Sequence, residues 1–479
     1  MTRAREDSER IHRRGRRWVL GAIGGLLAAY LVATLAFRLS HPDLRFSVIP
    51  ENPIVTGLPA GFLWGAATSA HQVEGGNLRN DWARFEAVPG NIRGGAGSGR
   101  AADHWNRVAQ DVGLLRDLGA NAYRFSIEWS RVEPDPGQWD ESAWAHYADE
   151  VAQLRRAGVE PMVTLLHFTL PTWLTDRGGL TADDFAQRFA AFAAEAVRRL
   201  GADVRYWCTV NEPNVQMYQG YVVGVWPPGV QDRHQASRAF AGLVRGHALA
   251  AHAIKAARPG ARVGAAVNLI VFDPVRRWWL LDWIGAREAD RGFNWAFYDS
   301  VKRSAISLHI AGFPELDEPM TELAGSADFV GVNYYRRNLV RFSPRAPGLV
   351  ELLQGPGPLS DTGVEIYPEG LLRLLRRVWD RYGLPIIVTE NGVADSTGRL
   401  RPTYLRAHVY ALARAVGEGI PVEGYFHWSL LDNFEWAEGF EPRFGLYRVD
   451  YDTQERVAGP GAVEFRRLVA IAAAAPWTR

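Results

Sequence analysis

Hydrophobic and polar positions set the first residues of the chain apart from the rest. Residues 1–17 carry seven arginines, and residues 18–37 then contain no charged side chain until Arg38. At about 1.5 Å of rise per residue, a helix of this length spans a hydrocarbon core of about 30 Å. We therefore predict a basic cytoplasmic tail over 1–17 and a transmembrane anchor over 18–37.

The flanks of this apolar run predict a topology. Arginine concentrated before the span favours a cytoplasmic N-terminus and an extracytoplasmic remainder of the chain. A cleaved signal peptide, which would give a secreted protein, is the alternative, because Thr34 and Ala36 are small residues of the kind found near cleavage sites. Residues 38–56, with Pro42, Pro50 and Pro53, are predicted to form an extended tether.

From about residue 57 onward, short apolar runs alternate with longer amphipathic segments, which is typical of βα units and a parallel sheet. The predicted strands are 62–67, 122–127, 160–166, 205–210, 262–267, 328–332, 385–389 and 422–427. The clearest helical segments between them are 105–118, 144–157, 185–200, 236–257, 369–382 and 404–417. Eight repeats predict an α/β fold, a closed (β/α)8 TIM barrel over 57–479, preceded by the single transmembrane helix.

Composition narrows the chemistry that such a barrel performs. The 54 Lys+Arg and 53 Asp+Glu nearly cancel, so no global positive field for nucleic acid is expected. The one cysteine, Cys208, excludes an internal disulfide framework and a thiolate metal cluster. Because no redox or metal motif is found, we predict neither a cofactor nor a metal. The 18 tryptophans suit a site that stacks on sugar faces.

Candidate catalytic residues lie where the predicted strands end, which is where barrel enzymes carry their active sites. Glu212 follows strand 4 and Glu390 follows strand 7, on facing sides of one mouth. Cleavage of a glycosidic bond needs such a pair, one carboxyl to protonate the leaving oxygen and one to attack or to activate water. The other strand ends also carry hydrogen-bonding or aromatic groups, namely Gln72, Glu74, Arg124, His167, Asn211, Asn333, Tyr334, Tyr335, Asn391, Trp428, Asn433, Glu435 and Trp436.

Six segments of the chain resemble glycoside hydrolase family 1, the family of retaining β-glucosidases and β-galactosidases. They are FLWGAATSAHQVEGG (62–76), YRFSIEWSR (123–131), TVNEP (209–213), GVNYY (331–335), VTENG (388–392) and HWSLLDNFEWAEGF (427–440). The resemblance covers about residues 57–470. TVNEP and TENG are specific to the family when both occur in this order.

The resemblance implies a role for each matching position. Glu212 would be the general acid/base, and Glu390 the nucleophile that forms a covalent glycosyl-enzyme. Arg124 would pair with Glu390 and Tyr335 would donate to it, with Asn211 and Asn333 as further catalytic support. The implied substrate-binding residues are Gln72, His167, Trp428, Glu435, Trp436 and Phe444.

Two subclasses of the family do not fit. The carboxylate of Glu435 would repel the phosphate of 6-phosphorylated sugars, and thioglucosidases carry Gln where this chain has Glu212. One departure from the family pattern is Phe168, where many members have Trp. Because an aromatic ring is kept, we expect altered packing under the sugar and retained activity.

The sequence predicts a retaining hydrolase of β-D-glucosides or β-D-galactosides, with the sugar undecided because Gln72 and Glu435 serve the 4- and 6-hydroxyls of both. The anchor adds glycolipids to small β-glycosides as candidate substrates. Two alternatives stay open. GRLRPTYL (398–405) and GIPVEGY (419–425) resemble the membrane-associated galactolipid-remodelling branch, which transfers the sugar to a second glycolipid. A non-catalytic sugar-binding relative is the other alternative. The oligomeric state is not predicted.

Overall fold

The computed structural model describes residues 2–41, 43–54, 57–346 and 349–474. Parts of the predicted segments, residues 1, 42, 55–56, 347–348 and 475–479, lie outside the described residues. Two compact units are present. The first consists of the N-terminal segment up to Arg45 with Phe272–Ala289 and Asn338–Leu353, and the second contains the remaining residues.

Strands and helices alternate along the described chain. The strands are β1 (Leu63–Ala67), β2 (Ala122–Ser126), β3 (Glu160–Leu166), β4 (Tyr206–Asn211), β5 (Arg262–Pro274), β6 (Ala305–Leu308), β7 (Leu316–Pro319), β8 (Val330–Phe342), β9 (Val350–Gln354), β10 (Ile386–Asn391), β11 (Val422–Trp428), β12 (Tyr447–Val449) and β13 (Arg456–Ala458). The helices are α1 (Thr2–Ser40), α2 (Ala70–Val73), α3 (Asp81–Glu86), α4 (His104–Asp117), α5 (Trp129–Val132), α6 (Glu141–Arg156), α7 (Thr172–Thr175), α8 (Phe185–Leu200), α9 (Pro213–Met217), α10 (Arg233–Ala257), α11 (Leu280–Asp290), α12 (Ala296–Arg303), α13 (Pro368–Tyr382), α14 (Arg401–Gly417) and α15 (Pro460–Ala474).

Eight of these strands close into a ring. Their order is β10-β11-β1-β2-β3-β4-β5-β8, and β10 pairs again with β8. The strand pairs β1–β2, β2–β3, β3–β4, β4–β5, β10–β8, β10–β11 and β1–β11 are all parallel. The predicted (β/α)8 barrel is therefore confirmed.

The barrel interior is filled by side chains from successive strands, as expected for a packed core rather than a pore. One cluster of buried residues contains Leu63, Ala67, Ala122, Met162, Tyr206, Phe329, Ile387, Phe426 and Trp428. Helices outside the barrel bury apolar side chains. In α8, for example, Phe185, Phe189 and Phe192 are fully buried, while Arg198 in the last turn is exposed.

Strand register brings the polar strand ends to the same edge of the barrel. Ala67 at the end of β1 lies opposite Arg124 of β2 on one side and Trp428 of β11 on the other. Glu390 of β10 lies opposite Asn333 of β8. This edge is the one at which the sequence predicts the site.

In the first unit, α1 runs through the predicted span and beyond it on both sides. The part over His12–Ser40 is long and apolar enough to cross a membrane, and it is the one such helix among the described residues. Its large apolar side chains are exposed, including Trp18 and Leu26.

Residues 46–54 belong to the second unit and contain neither helix nor strand. The backbone N–H of Phe46 donates to Glu369 of α13 (2.7 Å), and the Phe46 ring contacts Tyr410 of α14 with 5.0 Å between centroids. Arg406 of α14 pairs with Glu51 at 2.9 Å. The second half of the predicted tether thus follows the outer helices of the barrel.

Candidate active site

Glu212 directly follows β4, and the chain turns there into the short helix α9. Its backbone adopts φ 43°, in the left-handed region, and its N–H donates to the carbonyl oxygen of Ala266 on β5 (2.7 Å). A residue other than glycine is strained in this conformation by about 1–3 kcal/mol, and such strain concentrates at functional sites. The strained turn fixes the direction in which the buried Glu212 side chain leaves the barrel edge.

Glu390 near the end of β10 is buried and bonded through both carboxylate oxygens. Arg124 Nη1 donates to Oε1 at 2.5 Å, and the Tyr335 hydroxyl donates to Oε2 at 2.6 Å. Arg124 itself is fully buried, so the ion pair is shielded from solvent. A charged donor on one oxygen and a hydroxyl on the other stabilise the ionised carboxylate.

Asn333 joins the two carboxyl groups. Its Nδ2 donates to Glu212 Oε1 (2.9 Å) and to Asn211 Oδ1 (3.2 Å), and the Thr389 hydroxyl holds its Oδ1 (2.6 Å). The same amide is one of the groups that lower the pKa of Glu390. Glu212 and Glu390 therefore meet around one side chain.

Arg124 of β2 also orients the end of β4, two strands away in the barrel. Its Nη2 donates to Asn211 Oδ1 (2.7 Å), and Asn211 Nδ2 lies 3.1 Å from His167 Nε2. Burial, together with the charge of Arg124, holds the pKa of His167 well below its usual value. His167 is consequently a neutral hydrogen-bonding group.

Asn268 is a site residue that the sequence analysis missed. Its Nδ2 donates to Glu212 Oε1 at 2.8 Å, from the middle of β5. Its position gave a signal, because it directly follows residue 267, the predicted end of strand 5. Strand 5 is the one predicted strand without a polar end residue among the candidates. Glu212 is thereby held by two neutral amides, whereas Glu390 is held by a cation.

These different neighbours give the two carboxyl groups different proton affinities. Burial, and next the charge of Glu390, raise the pKa of Glu212 to about 7. Burial also raises the pKa of Glu390, but Arg124, Tyr335 and Asn333 all oppose that rise. At neutral pH, Glu212 is the group suited to donate a proton and Glu390 the one suited to carry charge.

A second group of polar side chains lies next to the carboxyl pair. Gln72 Nε2 lies 3.3 Å from Glu435 Oε2 and also donates to Asn433 Oδ1 (3.0 Å). The Ser69 hydroxyl holds the Gln72 carbonyl oxygen (2.7 Å), which fixes the amide orientation. Burial and the charges of Glu390 and Glu212 raise the pKa of Glu435 to about 8.

Aromatic rings line the same region. His167 stacks on Trp428 and on Trp436, with centroid distances of 5.7 and 6.1 Å. Phe168 packs edge-on against Trp436 at 5.2 Å and against Trp226 at 4.9 Å. The ring at position 168 thus supports the Trp436 indole.

Phe444 and Tyr335 form the opposite side of the aromatic lining. Their rings meet edge to face at 6.3 Å, and both pack against the cluster that contains Trp428. Next to Trp428, the backbone of β10 comes so close that a Cβ on Gly392 would overlap the Trp428 carbonyl oxygen. Glycine at the end of the TENG segment is thus required by space alone.

Some polar strand-end residues point away from the site. Glu74 pairs with Arg131 at 3.1 Å and accepts from the hydroxyl of Tyr147 (2.5 Å). The Tyr334 hydroxyl donates to the carbonyl oxygen of Tyr367, and Asn391 Nδ2 donates to the hydroxyl of Tyr404. Alternation along β8 and β10 explains the outward direction of Tyr334 and Asn391, whereas Glu74 lies directly after α2 and not on a strand.

Cys208 on β4 is buried with its Sγ 3.8 Å from Arg124 Nη2, and burial raises the pKa of its thiol. Among the described residues, no group of three or more His, Cys, Asp or Glu side chains is arranged to hold a metal ion. The described side chains form a site of three carboxyl groups, Glu212, Glu390 and Glu435, surrounded by amides and rings.

Comparison with known proteins identifies the family of this chain. The family model "Glycosyl hydrolase family 1" matches residues 55–470, so the chain belongs to glycosyl hydrolase family 1. It is 35% identical over 446 residues to "Beta-glucosidase A" of Thermotoga maritima, covering 87% of this chain and 98% of that protein. It is 34% identical to "Beta-galactosidase" of Pyrococcus woesei, covering 86% and 97% of the two proteins.

Solved structures agree with this assignment. The β-glucosidase from Thermotoga maritima in complex with glucoimidazole superposes with a TM-score of 0.82 at 33% identity, covering 87% of this chain and 99% of that one. The family and the enzyme class expected from the sequence are therefore confirmed, and the chain is a glycoside hydrolase. The comparisons favour neither the transglycosylase nor the non-catalytic alternative. Residues 1–54 precede the matched region.

Proposed function

We propose that the protein hydrolyses β-D-glucosides or β-D-galactosides with retention of configuration, through a glycosyl ester on Glu390. The observation that carries the proposal is the pair of buried carboxyl groups that share Asn333 but differ in their other partners. Relatives named as β-glucosidase and β-galactosidase support both sugars.

In the first step, a carboxylate oxygen of Glu390 attacks the anomeric carbon while the bond to the leaving oxygen breaks. Glu212 gives its proton to that oxygen, so the aglycone departs as a neutral alcohol. Arg124 and Tyr335 keep Glu390 ionised and oriented before the attack. The side-chain amides of Asn268 and Asn333 orient the Glu212 carboxyl group. Neither amide carries a positive charge that would favour loss of its proton.

In the second step, Glu212 changes its role because the charge next to it has disappeared. Once Glu390 is esterified, burial still raises the pKa of Glu212 but the charge of Glu390 no longer does, so that pKa falls and the carboxylate left by the first step is favoured. Glu212 then takes a proton from water, whose oxygen attacks the anomeric carbon. The ester bond breaks, and Glu390 returns to its ion pair with Arg124.

The surrounding side chains are proposed to hold the sugar in the cleaved subsite. Gln72, His167 and Glu435 would bond its hydroxyls, with Asn211 oriented for the same purpose by Arg124. The rings of Trp428, Trp436 and Phe444 would stack on or enclose the pyranose. This arrangement offers partners to both glucose and galactose.

The nucleophile is tested by chemical rescue. Glu390→Ala removes the attacking oxygen, and we expect hydrolysis of an aryl β-glucoside to fall to background. Added azide fits the vacated space and should give the α-glycosyl azide. The matched variant Glu212→Ala keeps the nucleophile, so azide should give the β-glycosyl azide with it. The same anomer from both variants would contradict the two assignments.

The substrate class is tested with a panel of aryl β-glucosides, aryl β-galactosides and glycolipids in detergent. We expect free sugar as the product from the substrates that are accepted. Oligoglycosyl lipid in place of free sugar would assign the reaction to transfer. Sugar binding without turnover of any activated glycoside would contradict an enzymatic role.

The N-terminal helix is proposed to anchor the protein in a membrane over residues 18–37, with 1–17 in the cytoplasm and the barrel outside. The absence of charge over 18–37, the exposed apolar surface of α1 and the preceding arginines support this topology. Intact mass of the protein from the membrane fraction tests it. The full mass supports an anchor, and a mass lacking the first part of the chain, in the soluble fraction, supports signal cleavage.

A further inference from the structure

The segment that follows β5 exposes a group of large apolar side chains. In α11, Asp282, Trp283, Gly285 and Ala286 are buried and form the inner face. Outside this face, Trp278 is 62% exposed, Leu281 37% and Ile284 44%. The three are spaced by three residues, so they follow one side of the turn and the helix after it. We refer to Trp278, Leu281 and Ile284 as the apolar patch.

The patch is attached to the helix proposed as the anchor. The Tyr30 hydroxyl donates to the carbonyl oxygen of Trp278 (2.6 Å), and the Tyr30 ring meets Trp279 edge-on at 6.4 Å. Seven residues further along α1, Phe37 stacks on Trp283 with 5.6 Å between centroids. The segment thus lies along the second half of the predicted span, within one compact unit.

The points of contact set a depth for the patch. Tyr30 and Phe37 are separated by seven residues, or about 10 Å along a helix axis. If Phe37, the last residue of the predicted span, marks the end of the hydrocarbon, Trp278 lies about 10 Å below that end, beside Tyr30. Interfacial helices bury their apolar faces by about 5–10 Å, so this depth is typical of a segment that enters one leaflet.

The charged side chains of this segment are also compatible with insertion to this depth. Arg277 donates to the backbone carbonyl of His41, beyond the end of the span, and its guanidinium lies 5.1 Å from the Trp283 ring. The buried Asp282 is neutralised by Arg276, with contacts of 2.9 and 2.7 Å. A guanidinium at the level of the lipid headgroups and a neutralised internal carboxylate suit insertion.

We propose that the apolar patch inserts into the leaflet at the C-terminal end of the span, giving the protein a second lipid contact beside its anchor. The proposed occupant of the patch is the acyl region of the bilayer, because the patch continues the surface of the span. This inference depends on the proposed anchor, and its test therefore includes an independent probe of that anchor.

A fluorescence experiment on the full chain tests the insertion. Because Cys208 is buried, a thiol-reactive, environment-sensitive dye should label only an introduced cysteine. Labels are placed on Leu281→Cys and Ile284→Cys, with Leu26→Cys as the anchor probe and Arg287→Cys as the matched control. Arg287 is exposed on the same helix four residues, or about 6 Å, beyond Trp283, which stacks on Phe37 at the end of the span, so it lies outside the hydrocarbon. Hydrolysis of a soluble aryl β-glycoside verifies that each labelled variant is folded.

The labelled chains are reconstituted into phosphatidylcholine vesicles with or without bromine on the acyl chains. We expect acyl bromine to quench the labels at 281 and 284 by about half or more, the label at 26 at least as strongly, and the label at 287 little. Quenching at 26 without quenching at 281 and 284 would overturn the insertion and leave the anchor standing. No quenching at any position would overturn both.

A second copy of the chain is the competing occupant of the patch. In that case the labels at 281 and 284 would be shielded from a water-soluble quencher but untouched by acyl bromine. The purified protein would also form a dimer that Ile284→Lys dissociates. That combination would overturn the lipid assignment.

Discussion

Two clusters of charged side chains in the barrel unit differ in their balance of acidic and basic groups. The active site holds three carboxyl groups, Glu212, Glu390 and Glu435, with Arg124 on one of them. Near α4, His104 lies between two carboxylates, 2.8 Å from Asp111 and 3.2 Å from Glu150, and Arg456 also pairs with Asp111 at 2.9 Å. The first cluster has more acid than base, whereas the second is balanced.

The difference appears in the proton affinities. In the site, burial and neighbouring negative charge raise the pKa of Glu212 to about 7 and that of Glu435 to about 8. In the second cluster, burial opposes charge, yet Asp111 and Glu150 raise the pKa of His104 to about 10, and His104 and Arg456 lower that of Asp111. Balanced pairing keeps the groups of the second cluster ionised, while the excess of acid in the site keeps a proton available for chemistry.

The largest effect is expected when the cation of the site is removed. Arg124→Met leaves the buried Glu390 without its cation, so the pKa of Glu390 rises and less of it is ionised at neutral pH. We expect kcat/KM to fall by about 10²–10³-fold, comparable to the loss of a preorganised electrostatic contact. The acidic limb of the pH profile should move to higher pH. An unmoved acidic limb would show that Arg124 only supports the structure.

The matching substitution in the balanced cluster should affect stability instead. Arg456→Met leaves Asp111 with His104 alone, and breaking a buried ion pair costs about 3–5 kcal/mol. We expect that loss in the free energy of unfolding in urea, with kcat/KM unchanged at temperatures where the variant is folded. A loss of activity in the folded variant would contradict the division into catalytic and structural clusters.

Removing the charge of Glu212 should stabilise the protein at alkaline pH. An unfolded glutamate ionises near 4.5 and Glu212 in the folded protein near 7, so the native state is penalised increasingly between these pH values. The penalty amounts to about 3 kcal/mol above pH 7. Glu212→Gln should therefore gain about that much stability at pH 8 and little at pH 4, measured by urea unfolding. Glu390→Gln should show no such gain in stability, because it removes the ion pair with Arg124. A gain equal at both pH values would refute the coupling to ionisation.

The smallest expected effect concerns Asn268. Its hydrogen bond lowers the pKa of Glu212, so Asn268→Ala should raise that pKa and extend activity towards higher pH. The alkaline limb of kcat/KM, expected near pH 7, should move up by about half to one pH unit. Asn77→Ala is the control, since Asn77 bonds Glu74, which lies outside the site. A limb that stays in place, or moves equally in the control, would count against this role.

Periodicity was sufficient to predict the barrel, because each strand is a short buried run between amphipathic helices. The bounds of β3 and α8 agree with the prediction to the residue. β5 and β8 were predicted to end at residues 267 and 332 but continue to Pro274 and Phe342. Their extensions belong partly to the first unit, where contacts between segments distant in sequence sustain the strands.

The site was predictable as far as its residues follow strand ends. Arg124, Asn333 and Tyr335, all named from strand ends and from the resemblance, have Glu390 as their common partner in the structure. The position of a strand end does not show which of two consecutive side chains points into the barrel. Tyr334 and Tyr335 therefore cannot be distinguished by position alone. The strained backbone of Glu212 has no sequence signal either, since a left-handed glutamate depends on tertiary contacts.

Gly392 carries no chemistry, yet it constrains any attempt to redesign the sugar pocket. Every larger residue there would displace the Trp428 main chain, and with it the indole proposed to contact the pyranose. A library of variants at position 428, made to accept a new sugar, should keep Gly392. Substitution of Gly392 would instead alter sugar selectivity indirectly, by moving Trp428. The two positions therefore behave as a single engineering variable.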